Sequence, residues 1–179
     1  LIEHPPPEEY EPDFTDMTHK ILIIAEHDGA KLNLSTAKCV TCASKIAGAT
    51  IDIVVLAADP APIAAQAAAI AGVSRVRTIA NAANANAIAA IYAPQIVAIA
   101  GEYTHVFGAS TTVGKDLMPR VAALLGVSQL SDIMAADDAH TFKRPIYAGN
   151  AIVTVKAPAG QIVVATVRAA SFPAAGGGG

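Results

Sequence analysis

Tryptophan is absent from the sequence, and aromatic residues make up only 4% of it, although 53% of the residues are hydrophobic. A core built from bulky rings is therefore excluded, and alanine, valine, isoleucine and leucine must fill the interior by close packing. No apolar run reaches the ~18 residues of a membrane-spanning helix, because polar residues or proline interrupt each run. The sequence predicts a soluble domain without membrane insertion.

A strong charge of either sign is also missing, since the formal net charge is −3. Residues 1–16 hold six acidic residues and no Lys or Arg, so residues 17–179 carry a net charge of +3. That value is too small, and the basic residues are too scattered, to indicate a nucleic-acid partner. The opening segment, with three consecutive prolines, is typical of a disordered acidic tail and not of a transit or signal peptide.

The composition of these segments predicts how the chain divides into a tail, a domain and a linker. Residues 1–16 are a disordered acidic tail, residues 17–172 form one domain that begins near Met17, and residues 173–179 are a flexible linker or an added end. A chain of 179 residues is long enough to bury one hydrophobic core.

Only two cysteines are present, Cys39 and Cys42, in a single C-x-x-C on a predicted helix. A redox pair would need its first cysteine at the start of the helix, and structural zinc would need two more ligands nearby. Neither condition is met, so we interpret both as small core or groove residues and predict no metal site. Two free thiols fit a reducing compartment.

Apolar runs alternate with helical patterns along the chain. The predicted strands are KILIIAEHDG, IDIVVLAAD, RVRTIA and YTHVFGAS. The predicted helices are residues 35–48, capped by Ser35, then 62–71, 84–100 with a break or kink at Pro94, and 115–125 closed by Gly126.

Such alternation predicts an α/β fold: a three-layer, mostly parallel sheet with helices on both faces and any ligand at the carboxyl ends of the strands. The C-terminal part differs, because short strands follow one another there without helices. The turn APAG between AIVTVK and QIVVATVR predicts a C-terminal antiparallel hairpin.

The stretch FGASTTVGKD at residues 107–116 resembles a phosphate loop. A Walker A motif needs four residues between its glycines and a hydroxyl residue after the lysine, but five residues separate Gly108 from Gly114, and Asp116 follows Lys115. The stretch still joins a strand to a helix, so its amides could bind an anion. A nucleotide loop made of Gly108, Ser110, Thr111, Gly114 and Lys115 therefore stays open beside a structural turn in which Ser110 or Thr111 caps the helix.

Four blocks in this order and spacing resemble one known family. They are KILIIAEHDGAKLNLSTAK, YTHVFGASTTVGKDLMPRVAALLGVSQLSDI, KRPIYAGNAIVTVK and VRAASFPAA, which together span residues 20–175. The sequence resembles the N-terminal domain of the alpha subunit of electron transfer flavoprotein.

The resemblance implies a fold of the adenine nucleotide alpha hydrolase-like type, related to universal stress proteins. It implies a non-catalytic scaffold that packs on the beta subunit, in a complex that carries electrons from flavin dehydrogenases to a quinone oxidoreductase of the respiratory chain. In the family a C-terminal domain holds most of the FAD, so we expect that domain to be absent here and no cofactor to be retained. The beta subunit of the family binds AMP, whereas the alpha subunit is not known to do so.

Two further sets of residues need a role. The resemblance to the Arg-Pro-x-Tyr-Ala-Gly-Asn segment and the alternating pattern of the last strands make five residues interface candidates: Arg144, Tyr147, Asn150, Val153 and Val164. For the matched segment, which also includes Gly149, direct flavin binding is the alternative to packing and subunit contact. Polar residues that end the first strand (Glu26, His27, Asp28), with His105, His140, Ser131 and Asp132, are interpreted as loop-shaping, interface or ordinary hydrogen-bonded residues. An Asp–His pair could serve acid–base chemistry, but no nucleophile can be assigned beside it.

The alternative function is a free-standing ATP- or AMP-binding domain of the universal stress protein type, with residues 107–116 as its phosphate loop. The predicted location is a bacterial cytoplasm, with the mitochondrial matrix as the alternative.

Overall fold

The computed structural model of the protein describes residues 18–178. The predicted tail of residues 1–16 and the predicted start at Met17 lie outside this range. The strands of this part are β1 (Lys20–Ile24), β2 (Thr50–Ala57), β3 (Arg75–Ala80), β4 (His105–Ala109), β5 (Gln129–Ile133), β6 (Ala135–Ala136), β7 (Thr141–Ile146), β8 (Ala151–Lys156) and β9 (Val163–Val167). Its α-helices are α1 (Leu34–Ala43), α2 (Ala61–Ala68), α3 (Ala89–Ala100) and α4 (Thr112–Leu125).

Six strands form one parallel sheet in the order β3-β2-β1-β4-β9-β5. The central strands β1, β4 and β9 are short and mostly apolar, and all their residues except Lys20 are buried, as parallel strands covered on both faces require. The predicted α/β class with a mostly parallel sheet is confirmed.

Two apolar layers enclose this sheet. On one face the strands pack against α1, α2 and the smaller sheet, with Ile23, Phe107 and Phe142 among the fully buried side chains. On the other face they pack against α3 and α4, where Met118 and Ile96 are fully buried. The three layers predicted from the sequence are therefore present, and small and branched side chains supply most of the core.

The C-terminal antiparallel part is present, but its strands pair differently from the prediction. β6, β7 and β8 form a three-stranded antiparallel sheet, whereas β9 lies between β4 and β5 in the parallel sheet. The predicted hairpin of AIVTVK with QIVVATVR is therefore wrong. The burial pattern gives the physical reason, because β8 alternates between half-buried and exposed residues while every residue of β9 is buried.

The predicted helices are present, but their boundaries differ from the predicted ones. Asn33, not Ser35, caps α1, and its side chain accepts a hydrogen bond from the Ser35 backbone nitrogen. The predicted helix of residues 84–100 is divided at residues 86–88, not at Pro94, which lies inside α3. Residues 82–85 instead form a short 3-10 turn, Ala82–Ala85, which ends at Asn86 in an extended conformation, and the buried side-chain amide of Asn84 within it exchanges hydrogen bonds with Gln95.

Residues 173–178 are not the flexible linker that the sequence predicted. Backbone hydrogen bonds join Ala175 to Ala37, Gly176 to Ala71 and Gly178 to Ala69. The segment thus packs along α1 and the end of α2, because its small residues allow close backbone approach. Within residues 18–178 no helix combines the length and the apolarity needed to cross a membrane.

Candidate functional site at the carboxyl edge of the sheet

The carboxyl ends of β1 and β4 are adjacent in the sheet. The strand order reverses at this point, because β2 and β3 lie on one side of β1 and β4 lies on its other side. β1 is adjacent to both β2 and β4, so the connections after β1 and β4 leave a crevice between them. In open parallel sheets ligands bind at this topological switch point. Glu26 and His27 follow β1 there, and residues 108–114 follow β4.

The loop after β4 is held by its own contacts. Thr111 is the N-cap of α4, and its hydroxyl oxygen accepts a hydrogen bond from the Gly114 backbone nitrogen at 3.2 Å. The same hydroxyl donates to the Glu26 carboxylate at 2.6 Å. Lys115 points to solvent, whereas the Ser110 hydroxyl is buried and has no hydrogen-bond partner in the described chain. Thr111 is therefore the cap that the structural interpretation of this stretch expected.

The two glycines of the loop are required by packing. A Cβ at Gly114 would lie 1.8 Å from the carbonyl oxygen of Ala109, so only glycine lets the first turn of α4 approach the end of β4. A Cβ at Gly108 would lie 2.8 Å from the sulfur of Met118. The space left at the switch point is a cavity of about 30 Å³, which is room for one or two water molecules.

A larger cleft of about 490 Å³ lies beside it, between the ends of β1 and β2 and residues 84–87. Two of the polar side chains that line it, His27 and Asp28, are engaged internally. His27 donates from Nε2 to the Leu56 carbonyl at 2.9 Å and accepts at Nδ1 from the Gly29 nitrogen. Asp28 accepts hydrogen bonds from the backbone nitrogens of Lys31 and Ala30, and these bonds lower the pKa of its carboxyl group. An acid–base role for this Asp–His pair is not supported, because both side chains shape the loop.

The segment that resembles Arg-Pro-x-Tyr-Ala-Gly-Asn forms the hairpin of β7 and β8. Its tip, residues 147–150, projects Tyr147, which is 79% exposed, and Asn150 is exposed as well. Tyr147 and Ala148 have left-handed backbone angles, with φ of 50° and 54°. Such angles are uncommon for residues other than glycine and cluster at functional sites.

The remaining interface candidates are placed differently. Arg144 and Val153 are paired across β7 and β8, and both are half-buried. Val164 is 0% exposed in the middle of the parallel sheet, where it packs against the α3 and α4 layer. The prediction that Val164 presents surface to a partner is therefore wrong, because the α3 and α4 layer of this chain covers the face of β9 on which Val164 lies.

Known proteins were compared with this chain. The sequence model of the electron transfer flavoprotein domain matches residues 21–179. The chain belongs to the electron transfer flavoprotein family. It is similar to the electron transfer flavoprotein subunit alpha of Pseudomonas aeruginosa, with 45% identity over 154 residues that cover 86% of this chain and 49% of the relative.

Most of this chain is also similar to about half the length of other alpha subunits of the electron transfer flavoprotein family. The protein from Paracoccus denitrificans is 44% identical over 161 residues, which cover 89% of this chain and 51% of the relative. The mitochondrial subunit of Dictyostelium discoideum is 40% identical over 166 residues, which cover 87% of this chain and 46% of the relative. The chain thus spans about half the length of the curated relatives that it matches.

A histidine cluster in this electron transfer flavoprotein domain was not predicted from the sequence. His105 is fully buried at the start of β4, and the ring centroids of His19 and His140 lie 5.7 and 6.2 Å from it. Burial lowers the pKa of His105 to about 4. Burial, followed by the neighbouring His140, also lowers the pKa of His19. The three residues are far apart in sequence, so no local pattern could have indicated the cluster.

The two cysteines lie in the core as predicted. Cys39 and Cys42 are free and fully buried in α1, beneath the parallel sheet. Burial raises the pKa of both thiols, that of Cys42 to about 12. Among residues 18–178 no group of three His, Cys, Asp or Glu side chains could hold a metal ion.

Asp132 lies in a strand and not in the loop that the sequence predicted. It lies in β5 at a bulge, with φ of 59°, and its backbone nitrogen donates to the Thr166 hydroxyl. Its carboxylate accepts from Arg168 at 2.7 Å. The side chain therefore ties β5 to the end of β9.

Proposed function

We propose that this chain is the scaffold domain of an electron transfer flavoprotein alpha subunit and that it holds the beta subunit without performing chemistry itself. The observation that carries the proposal is the match of most of the chain to about half of proteins named as alpha subunits. His27, Asp28 and Tyr92 in the cleft support a structural role, since their side chains are used in internal hydrogen bonds.

The whole protein would carry electrons from flavin dehydrogenases, such as those of fatty acid β-oxidation, to a quinone oxidoreductase. Its FAD would be held mainly by the half of the relatives that this chain does not match, so we expect purified chain to be colourless. A stoichiometric flavin spectrum after gel filtration would contradict this arrangement. We propose a bacterial cytoplasm as the location, with the mitochondrial matrix as the alternative.

The β7–β8 hairpin is the surface that we assign to the beta subunit. β8 pairs with β7 alone among the strands of residues 18–178, so its other edge offers free backbone groups. Ile152 on this edge strand is 59% exposed, and it stands close in sequence to the exposed Tyr147 at the tip. Large apolar side chains beside a free strand edge suit a partner that excludes water from them.

The test is co-elution of the chain with its cognate beta subunit and measurement of Kd. Interface anchors of this kind often contribute more than ~2 kcal/mol, so Tyr147→Ala and Ile152→Lys should each weaken binding by 10-fold or more. Leu124 on α4 is 52% exposed, and Leu124→Lys is the matched control that should leave Kd unchanged. Equal binding by all four proteins would exclude the hairpin as the contact, and absence of any complex would exclude the scaffold role.

The free-standing nucleotide-binding function is not favoured. Lys115 is exposed and does not line the cavity at the switch point, and the Thr111 hydroxyl is used to cap α4 and to contact Glu26. The alternative is tested by thermal unfolding with ATP or AMP, because a ligand at a hundred times its Kd adds ~2.7 kcal/mol to the free energy of unfolding. A rise in Tm that disappears in Lys115→Ala would restore it.

A further inference from the structure

Glu26 is fixed between the starts of two helices. Its backbone nitrogen donates to the Thr36 hydroxyl at 3.2 Å, and its carbonyl oxygen accepts from the Asn33 nitrogen at 2.8 Å. Both partners belong to the start of α1, where Asn33 is the N-cap. The position of Glu26 is thus set by α1, although the residue follows β1 at the switch point.

The carboxylate of Glu26 contacts the caps of both helices. One oxygen accepts from the Thr111 hydroxyl at 2.6 Å, and the other lies 3.4 Å from the Asn33 side-chain nitrogen. Thr111 in turn accepts from the Gly114 nitrogen. A single hydroxyl therefore separates this carboxylate from the amides that begin α4.

The electrostatics of this arrangement favour a negative charge. The first amides of each helix lack intrahelical acceptors, and the N-terminus carries about half a positive charge. In parallel α/β sheets this place commonly binds the phosphate of a ligand. Here a side chain of the same sign occupies it.

Two further observations describe the crevice and the two helix starts. The remaining cavity, about 30 Å³, is lined by Glu26, Gly108 and Gly114. The hydroxyls of Ser35 and Ser110, at the same two helix starts, are buried without a hydrogen-bond partner in the described chain. Ser35 is itself only 6% exposed. Hydrogen-bonding capacity is therefore present at the two helix starts and is not used.

We propose that Glu26 is a built-in anion that occupies the phosphate position of the switch point and closes it to phosphate-bearing ligands. Glu26, and not the imperfect Walker spacing of residues 107–116, then determines that the loop does not act as a phosphate cradle. The proposal rests on the geometry of this chain and does not depend on binding of a beta subunit.

The experiment is titration of the protein with inorganic phosphate at constant ionic strength, followed through the backbone amide NMR signals of Gly114 and Thr112. Glu26→Ala removes the charge and opens space, so phosphate should shift these signals with saturation. Glu26→Gln conserves volume and can still accept from Thr111, so it keeps the fold and should bind phosphate more weakly than Glu26→Ala. The unsubstituted chain should show no saturable shift. Its apparent affinity for phosphate should therefore be at least 10-fold lower than that of Glu26→Ala.

Asp116→Asn is the matched control, because it removes one exposed negative charge from the same helix without touching the crevice. It should behave like the unsubstituted chain. The proposal is overturned if phosphate binds the unsubstituted chain or Asp116→Asn as tightly as the Glu26 variants. It is also overturned if the folded Glu26→Gln and Glu26→Ala proteins both show no saturable shift at Gly114; if Glu26→Ala does not fold, the result for Glu26→Gln decides.

Discussion

His105 in the parallel sheet and Ala139 in the turn between β6 and β7 are joined by a hydrogen bond of 2.7 Å from Nε2 to the carbonyl oxygen. Because the carbonyl can only accept, the proton lies on Nε2, and a neutral ring accepts at Nδ1 from the Thr104 hydroxyl at 2.8 Å. The titratable neighbours of this ring are His19 and His140. The contact between the two sheets thus depends on a histidine that is buried in its neutral form.

Acid should weaken the fold through this histidine. The pKa of His105 is lowered from 6.5 to about 4 in the folded protein, so the unfolded chain binds the proton first as the pH falls. Above about pH 6.5 His105 is neutral in both the folded and the unfolded state and does not reduce the free energy of unfolding. Between about pH 6.5 and pH 4 the unfolded state is protonated first, which lowers the free energy of unfolding by on the order of 3 kcal/mol for this group. The lowered pKa of His19 acts in the same direction.

Urea unfolding at several pH values measures this slope. His105→Gln keeps a donor for Ala139 but does not titrate, so its stability should be lower at pH 7 and change less between pH 6.5 and pH 4. An unchanged slope in His105→Gln would show that other groups cause the acid sensitivity.

Gly114→Ala should destabilise the domain. A methyl group in a helix interior normally gains up to ~1 kcal/mol over glycine, but here it would meet the Ala109 carbonyl oxygen at 1.8 Å. Overpacking of this kind costs about 1–3 kcal/mol or more, so the net free energy of unfolding should fall. Gly101→Ala, where a Cβ would meet no atom within 4 Å, is the control and should be neutral. Equal Tm values for the two variants would contradict the close approach of α4 to β4.

Arg75→Ala should cost more stability than Arg77→Ala on the same strand. Arg75 donates from Nε and Nη2, at 2.9 and 2.7 Å, to Asp52, whose carboxylate is buried and also accepts from the Tyr103 hydroxyl. Loss of the arginine leaves a buried charge with one remaining partner, at a cost of about 1–3 kcal/mol.

Arg77 instead pairs with Glu102, a half-exposed carboxylate, and such pairs contribute less than about 1 kcal/mol. Chemical denaturation of both variants measures the difference. In the double variant Arg75→Ala with Asp52→Asn, part of the loss should be recovered, because no buried charge remains. Equal costs for the two arginines, or full additivity in the double variant, would show that Asp52 does not depend on Arg75.

Local patterns in the sequence were enough for much of the fold. RVRTIA coincides with β3, and Gly126 ends α4 with a left-handed backbone, as predicted. Alternation of buried strands with amphipathic helices indicated the parallel sheet, and the four blocks of resemblance indicated the family. These features depend on residues that are near one another in the chain, where turn chemistry and periodicity act directly.

The location of β9 and the assembly of the site were decided by packing between distant segments. A turn between AIVTVK and QIVVATVR suggested a hairpin, yet burial of both faces of β9 outweighs pairing with its sequence neighbour, and the strand joins β4 and β5. The contact of Glu26 with Thr111 and the grouping of His19, His105 and His140 arise in the same way. The sequence alone predicted the kind of each element, because periodicity is local. Only the tertiary structure decided which side chains meet, because that depends on the burial of apolar area summed over the whole domain.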